Sequence, residues 1–126
     1  MEWTFRADLP IYAQLVERIQ QAVASGALPP GARLSSVREL AAEAGVNPNT
    51  MQRALQELER EGLVYANRTT GRYVTEDIGK IRAAKQALAA VQVRSFLEAM
   101  EKLGCEHEEI LAMLAGEKKE EEHADS

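Results

Sequence analysis

Between Ser36 and Val74 the chain reads SVRELAAEAGVNPNTMQRALQELEREGLVYANRTTGRYV, and the start and stop signals in this stretch leave few folds open. Ser36 and Glu39 stand at the S-x-x-E spacing of a capping box, which starts a helix by satisfying two of its unpaired amides. Val37, Leu40, Ala41 and Ala44 then form an apolar stripe, and Gly45 stops the helix after about two and a half turns. Val46 is expected to be the buried turn residue. Asn47 follows as N-cap and Pro48 as the first residue of the next helix. Met51, Ala54, Leu55 and Leu58 recur at spacings of three and four until Gly62. Two strand-like runs come next, Leu63-Val64-Tyr65-Ala66 and Arg72-Tyr73-Val74-Thr75. They flank a five-residue hairpin loop, Asn67-Arg68-Thr69-Thr70-Gly71, with Asn and Gly where positive φ is tolerated.

Two short helices joined by a tight turn and followed by a hairpin is the order of a winged helix-turn-helix. The polar face of the second of these helices says what it meets. Asn49, Gln52, Arg53 and Gln56 carry amides and one guanidinium, with no carboxylate until Glu57. Amides and Arg read adenine and guanine edges in the major groove. A solvated face more often mixes signs, as Glu57, Glu59, Arg60 and Glu61 do at the same helix's far end, where they read as a solvated face. In the hairpin, Arg68, Thr70 and Arg72 are expected to touch phosphates or the minor groove, a surface hairpin being the plainer alternative.

A net charge of −5 argues against nucleic acid until its distribution is read. Residues 1–75 hold eight Arg and eight carboxylates, and residues 98–126 hold three bases against ten acids. The acidity therefore belongs to the C-terminal end. One Cys rules out an internal disulfide framework and fits a reducing compartment. The N-terminus lacks the pattern of a signal peptide, and no apolar run is long enough to span a membrane, so the expected location is cytoplasmic. Cys105-Glu106-His107 is the only Cys/His cluster, too few ligands for structural zinc and a poor nucleophile pair. No phosphate-binding glycine loop or catalytic triad is present. No cofactor and no enzymatic activity are expected.

Outside the central stretch, Trp3 and Phe5 are expected to pack back onto the domain from an extended arm. Asp8 is the expected N-cap of a first helix bearing Ile11, Leu15, Ile19, Ala22 and Val23 on one face and ending at Gly26. Arg33-Leu34 reads as a short extended piece. From about Glu76 to Leu103 runs a long helical pattern with Ile78, Ile81, Ala84, Leu88, Val91, Val93, Phe96, Leu97, Met100 and Leu103 as its apolar set. A helix of about 42 Å cannot bury that face on a domain of this size, so a second copy is the simplest partner. A short helix over 106–115, with Ile110, Leu111 and Leu114, is expected to fold back, and 117–126 is expected to be a disordered acidic tail. The mainly α fold thus divides into a winged domain at 8–76, a helical dimerisation region at 77–116 and the tail. The expected dimer contacts are Ile81, Leu88, Val91, Phe96, Leu97, Met100, Leu103, Ile110 and Leu114.

Five motifs in order carry a family resemblance: Pro10-Ile11-Tyr12-x-Gln14-Leu15, Gly26-x-Leu28-x-Pro30-Gly31-x-x-Leu34, Ser36-x-Arg38-Glu39-Leu40-Ala41, Val46-Asn47-Pro48-Asn49-Thr50 and Leu58-Glu59-x-x-Gly62-Leu63. Together they resemble the GntR family of bacterial transcription regulators. The Val-Asn-Pro-Asn-Thr run and the short C-terminal region are similar to the YtrA subfamily, whose two C-terminal helices serve dimerisation. The resemblance implies DNA contacts by Arg38, Asn47, Asn49, Thr50, Gln52 and Arg53, and by Gly71 at the wing tip; Ser36, beside Arg38, is expected at the same surface. It also implies repression of an operon for an ABC transporter. Ser35 stands where the family usually has Pro, and the wing has one Gly where the family usually has two. The expected partners are an operator duplex with inverted half-sites and a second copy of the chain, with no membrane; an effector, if any, is unknown. The alternative is a protein-interaction adaptor whose working end is the acidic tail. A carboxylate-free helix face has no purpose in such an adaptor.

Overall fold

The computed structural model describes the backbone of residues 1–124 and the side chains of residues 1–117. Its elements run α1 (Ile11–Ser25), α2 (Val37–Ala44), α3 (Pro48–Arg60), β1 (Val64–Asn67), β2 (Gly71–Val74), α4 (Ile78–Lys102) and α5 (His107–Ala124). The chain divides into two units, Met1–Leu88 and Ala89–Ser126.

In the first unit α3 is the centre. Its inner stripe of Met51, Ala54, Leu55 and Leu58 is fully buried. Leu15, Ile19 and Val23 of α1, Leu40 and Ala41 of α2, and Leu63, Val64 and Val74 of the hairpin complete the core. At about 1.5–3 kcal/mol for each fully buried large side chain, this packing, more than helix propensity, holds the short helices in place. Trp3 and Phe5 pack against the core as expected. The arm is tied down by Gln14, whose side chain accepts from the Arg6 amide (2.7 Å) and donates to the Arg6 and Leu9 carbonyls (2.9 and 3.0 Å). The start of α1 differs from expectation. Pro10 is the N-cap and no side chain caps the helix, while Asp8 pairs with Arg6. The extended backbone at Pro10 delays the first turn to Ile11, which leaves Asp8 too early to reach it. Ile11 itself is exposed.

Strand β1 starts one residue later than the sequence-based expectation because Leu63 closes α3, and β2 starts one residue earlier because Gly71 pairs with Asn67. The Leu63 amide donates to the Leu58 carbonyl (3.0 Å), and the Thr75 amide donates to the Leu63 carbonyl (2.9 Å). The hairpin is antiparallel with Val64 opposite Val74 and Asn67 opposite Gly71, and Tyr65 stacks on Tyr73. The loop is held differently from expectation. Asn67 does not take positive φ; its side-chain oxygen accepts from the amides of Thr69 (2.9 Å) and Thr70 (3.3 Å). Only Gly71, with φ 118°, uses the conformation that favours glycine. The extended piece at Arg33-Leu34 joins the hairpin edge: Leu34 N–H donates to Arg72 and Val74 N–H donates to Ala32.

Helix α4 begins at Ile78, where Asp77 accepts from the Lys80 amide. In its first turns Ile81 and Ala84 pack against the first unit's core. In the second unit α4 runs on to Lys102 and has no buried residue along its length. Gly104, with φ 81°, breaks it, and the Glu109 carboxylate accepts from the Glu106 amide at the start of α5. Helix α5 passes the expected end near Ala115 and continues to Ala124. The residues after Gly116 are Glu, Lys, His and Ala, mostly strong helix formers, and one interior Gly costs only about 1 kcal/mol. Polarity there removes a reason to pack, not a reason to be helical. Residues 125–126, the end of the expected tail, lie outside the described residues. Ile110 is buried, while Val91, Val93, Phe96, Leu103, Leu111, Met113 and Leu114 are exposed.

Candidate nucleic-acid interface

The outward face of α3 follows from the inward one: with Met51, Ala54, Leu55 and Leu58 buried, Asn49, Arg53 and Gln56 are forced to solvent, and Gln52 is half-buried beside them. The Asn47 side chain accepts from the Asn49 amide (2.7 Å) and starts the helix, with Pro48 in its first turn. Thr50 is half-buried. The Arg53 guanidinium lies 4.7 Å from the centre of the Tyr12 ring. On α2, the Ser36 hydroxyl accepts from the Glu39 amide (3.2 Å) and donates to the Glu39 carboxylate (3.0 Å). Ser36 is therefore first a cap. Arg38, two residues on, is exposed.

The start of α2 and the wing meet in an open cleft of about 630 Å³, bordered by Arg33, Ser35, Ser36, Glu39, Gly71 and Arg72. Arg33 lies along the wing tip. A methyl group added to Gly71 would sit 3.4 Å from Arg33 Nε and 3.7 Å from Nη2. The sequence reading did not single out Arg33. The signal was the pairing of the Arg33-Leu34 piece with the second wing strand, which brings an extended residue from before α2 to the wing's edge.

The eight Arg of the first 75 residues sort into three groups. Arg6, Arg60 and Arg72 pair with Asp8, Glu57 and Glu59. Arg18 donates to the Glu2 carbonyl at 2.6 Å. Arg33, Arg38, Arg53 and Arg68 are exposed and have no carboxylate partner among the described residues. Those four stand before α2, on α2, on α3 and on the wing. Two expectations change here. Arg72 is half-buried and its Nε donates to Glu59 at 2.6 Å, so it braces the wing against α3 and is withdrawn from the free cations. The acidic end of α3 is not simply solvated: Glu57 pairs with Arg60, Glu59 holds Arg72, and Glu61 accepts from the Gln20 amide. Burial, opposed by that hydrogen bond, holds the Glu61 carboxyl above its usual pKa.

The residues expected at a dimer contact also divide. Ile110 is buried and Ile81 packs into the first unit's core, so the chain itself already covers both. Leu88, Leu97 and Met100 are half-buried, and Val91, Phe96, Leu103 and Leu114 are exposed. Among the described residues no cluster of three or more His, Cys, Asp or Glu could hold a metal ion, and no helix is long and apolar enough to cross a membrane.

Residues 11–74 match the model of bacterial regulatory proteins of the gntR family. The HTH-type transcriptional regulator YhcF of Bacillus subtilis is 36% identical over 111 residues, covering 88% of this chain and 92% of its own. The HTH-type transcriptional repressor YtrA of the same organism is 38% identical over 89 residues, covering 66% and 68%. Among solved structures, a GntR family transcriptional regulator from Listeria monocytogenes superposes with a TM-score of 0.82 at 39% identity, covering 89% of this chain and 98% of its own. AraR(DBD) in complex with operator ORX1 superposes with a TM-score of 0.54 at 29% identity, covering 60% and 96%.

Proposed function

The chain belongs to the GntR family of DNA-binding transcriptional regulators, and from that premise we propose that it acts as a homodimeric repressor on an inverted-repeat operator. The observation that carries this reading is the set of four guanidiniums without a carboxylate partner among the described residues, Arg33, Arg38, Arg53 and Arg68, around an α3 face of amides. Helix α3 enters the major groove. Asn49, Gln52 and Arg53 meet base edges, while Asn47 and Thr50 lie at the helix start near the backbone. Arg38 supports the approach from α2. The wing contributes Arg68, Thr70 and the close backbone approach at Gly71 to phosphates or the minor groove. A second copy covers the exposed apolar side chains of α4 and α5, and it places two half-sites about one helical turn apart. We extend the proposal to the regulated genes, an ABC transporter operon, on the subfamily resemblance of the Val46–Thr50 run and the short C-terminal region alone.

A mobility-shift titration with the DNA upstream of the protein's own gene, at two salt concentrations, tests this reading. Arg38→Ala and Arg53→Ala are each expected to weaken binding by about 1–3 kcal/mol. Parent-like binding by both variants sinks the docking model.

A further inference from the structure

Arg53 differs from the other exposed Arg residues of the first unit in having its guanidinium over an aromatic ring. At 4.7 Å from the ring centre it is well inside the range of about 6 Å over which the negative face of an aromatic ring attracts a cation. We propose that Tyr12 is a positioning residue for recognition: its ring holds the Arg53 guanidinium where it meets a base edge. The inference rests on the reading of α3 as the groove helix.

The geometry fits that role in three ways. First, ring and cation sit on elements that share one core. Tyr12 is half-buried on α1 and packs against the cluster that includes Leu15, Ile19, Met51 and Leu55, so the ring cannot drift independently of α3. Second, a ring face restrains a guanidinium without using its N–H groups. A carboxylate partner would occupy those donors, as Glu59 does with Arg72, and would compete with the base. Arg53 has no such partner among the described residues. Third, an exposed Arg samples many rotamers, and contact with a base must select one of them. A ring that holds the guanidinium in one place removes part of that ordering cost before DNA arrives, which is how preorganisation strengthens binding. An Arg ordered in this way makes its paired contact with guanine O6 and N7, so the consequence falls on one base pair of each half-site. Tyr12 also carries a hydroxyl. A direct hydroxyl-to-phosphate contact is the competing explanation of any effect at this position, and it predicts no sequence preference.

The test uses the full chain and the duplex that the parent protein enriches from a random-sequence pool, together with duplexes altered one base pair at a time. Affinities are measured for Arg53→Ala, Tyr12→Phe, Tyr12→Leu and the double variant Tyr12→Leu/Arg53→Ala, each well below its own melting temperature. Arg53→Ala is expected to flatten discrimination at one base pair per half-site. Tyr12→Leu is expected to weaken binding about two- to fivefold per half-site and to flatten discrimination at that same pair. Tyr12→Phe, which keeps the ring, is expected to match the parent in both respects, and the double variant to bind no worse than Arg53→Ala. The inference alone is overturned if Arg53→Ala loses preference while Tyr12→Leu keeps it, if Tyr12→Leu weakens every duplex equally, or if Tyr12→Phe behaves like Tyr12→Leu. Full preference in Arg53→Ala overturns the role of Arg53 itself, and the inference falls with it.

Discussion

The two units of the chain treat apolar side chains in opposite ways. In Met1–Leu88 the inner face of α3 is sealed between α1, α2 and the hairpin, with Met51, Ala54, Leu55 and Leu58 fully covered. In Ala89–Ser126 α4 continues without a buried residue, and Phe96, Leu103 and Leu114 remain 40%, 77% and 51% exposed. Most helical stability in proteins comes from packing an apolar face, so apolar surface left open on these helices supports the proposal that a second copy covers it. The first unit buries a core of its own and turns the amide and Arg face of α3 outward. The second presents apolar side chains, which the proposed dimer would cover.

The sharpest way to break this contrast is to cut the chain after Leu88. The cut keeps Ile81 and Ala84, which belong to the first unit's core. The fragment is expected to melt cooperatively yet to bind the selected duplex about 100-fold more weakly, because the second half-site loses its high effective concentration. Undiminished affinity would show that the second unit does nothing for DNA binding.

A matched pair of core deletions sharpens the contrast. Leu55→Ala is expected to cost about 2–5 kcal/mol in urea unfolding followed by a probe in the first unit, since Leu55 is fully buried. Leu103→Ala, at a residue 77% exposed, is expected to leave that transition in place and to act on the concentration dependence of the proposed dimer. Equal shifts of the first unit's transition would erase the distinction.

The smallest expected effect concerns Arg33. Its place beside Gly71 predicts a phosphate contact, so Arg33→Ala should weaken all duplexes nearly uniformly and reduce the dependence of log affinity on log salt by about 1 per half-site. A loss confined to particular base pairs would make it a base-reading residue instead.

How much of this was legible depends on whether a feature is local. The caps at Ser36 and Asn47, the stripe of α3 and its amide face are set by residues within a few turns of each other, and all were readable as sequence. The Arg72–Glu59 pair, the Arg53–Tyr12 contact and the approach of Arg33 to Gly71 join residues from different elements. No local pattern encodes them, so the sequence alone leaves Arg72 looking free and assigns Tyr12 and Arg33 no part in the site. Helix α5 runs past its expected end for another reason. Apolar periodicity marks where a helix packs, and the stretch from Glu117 to Ala124 is helical without an apolar stripe. Ile110 shows the converse, an apolar residue on the expected dimer face that the chain itself buries.

The central claim is that a self-contained reading domain works in pairs set by the second unit. Sedimentation of the full chain with its selected duplex, beside the Phe96→Glu variant, tests it most directly. The account predicts two chains per duplex for the parent, and for Phe96→Glu a monomer whose first unit melts as in the parent. One parent chain per duplex, or a Phe96→Glu variant that still binds as a pair, would contradict it.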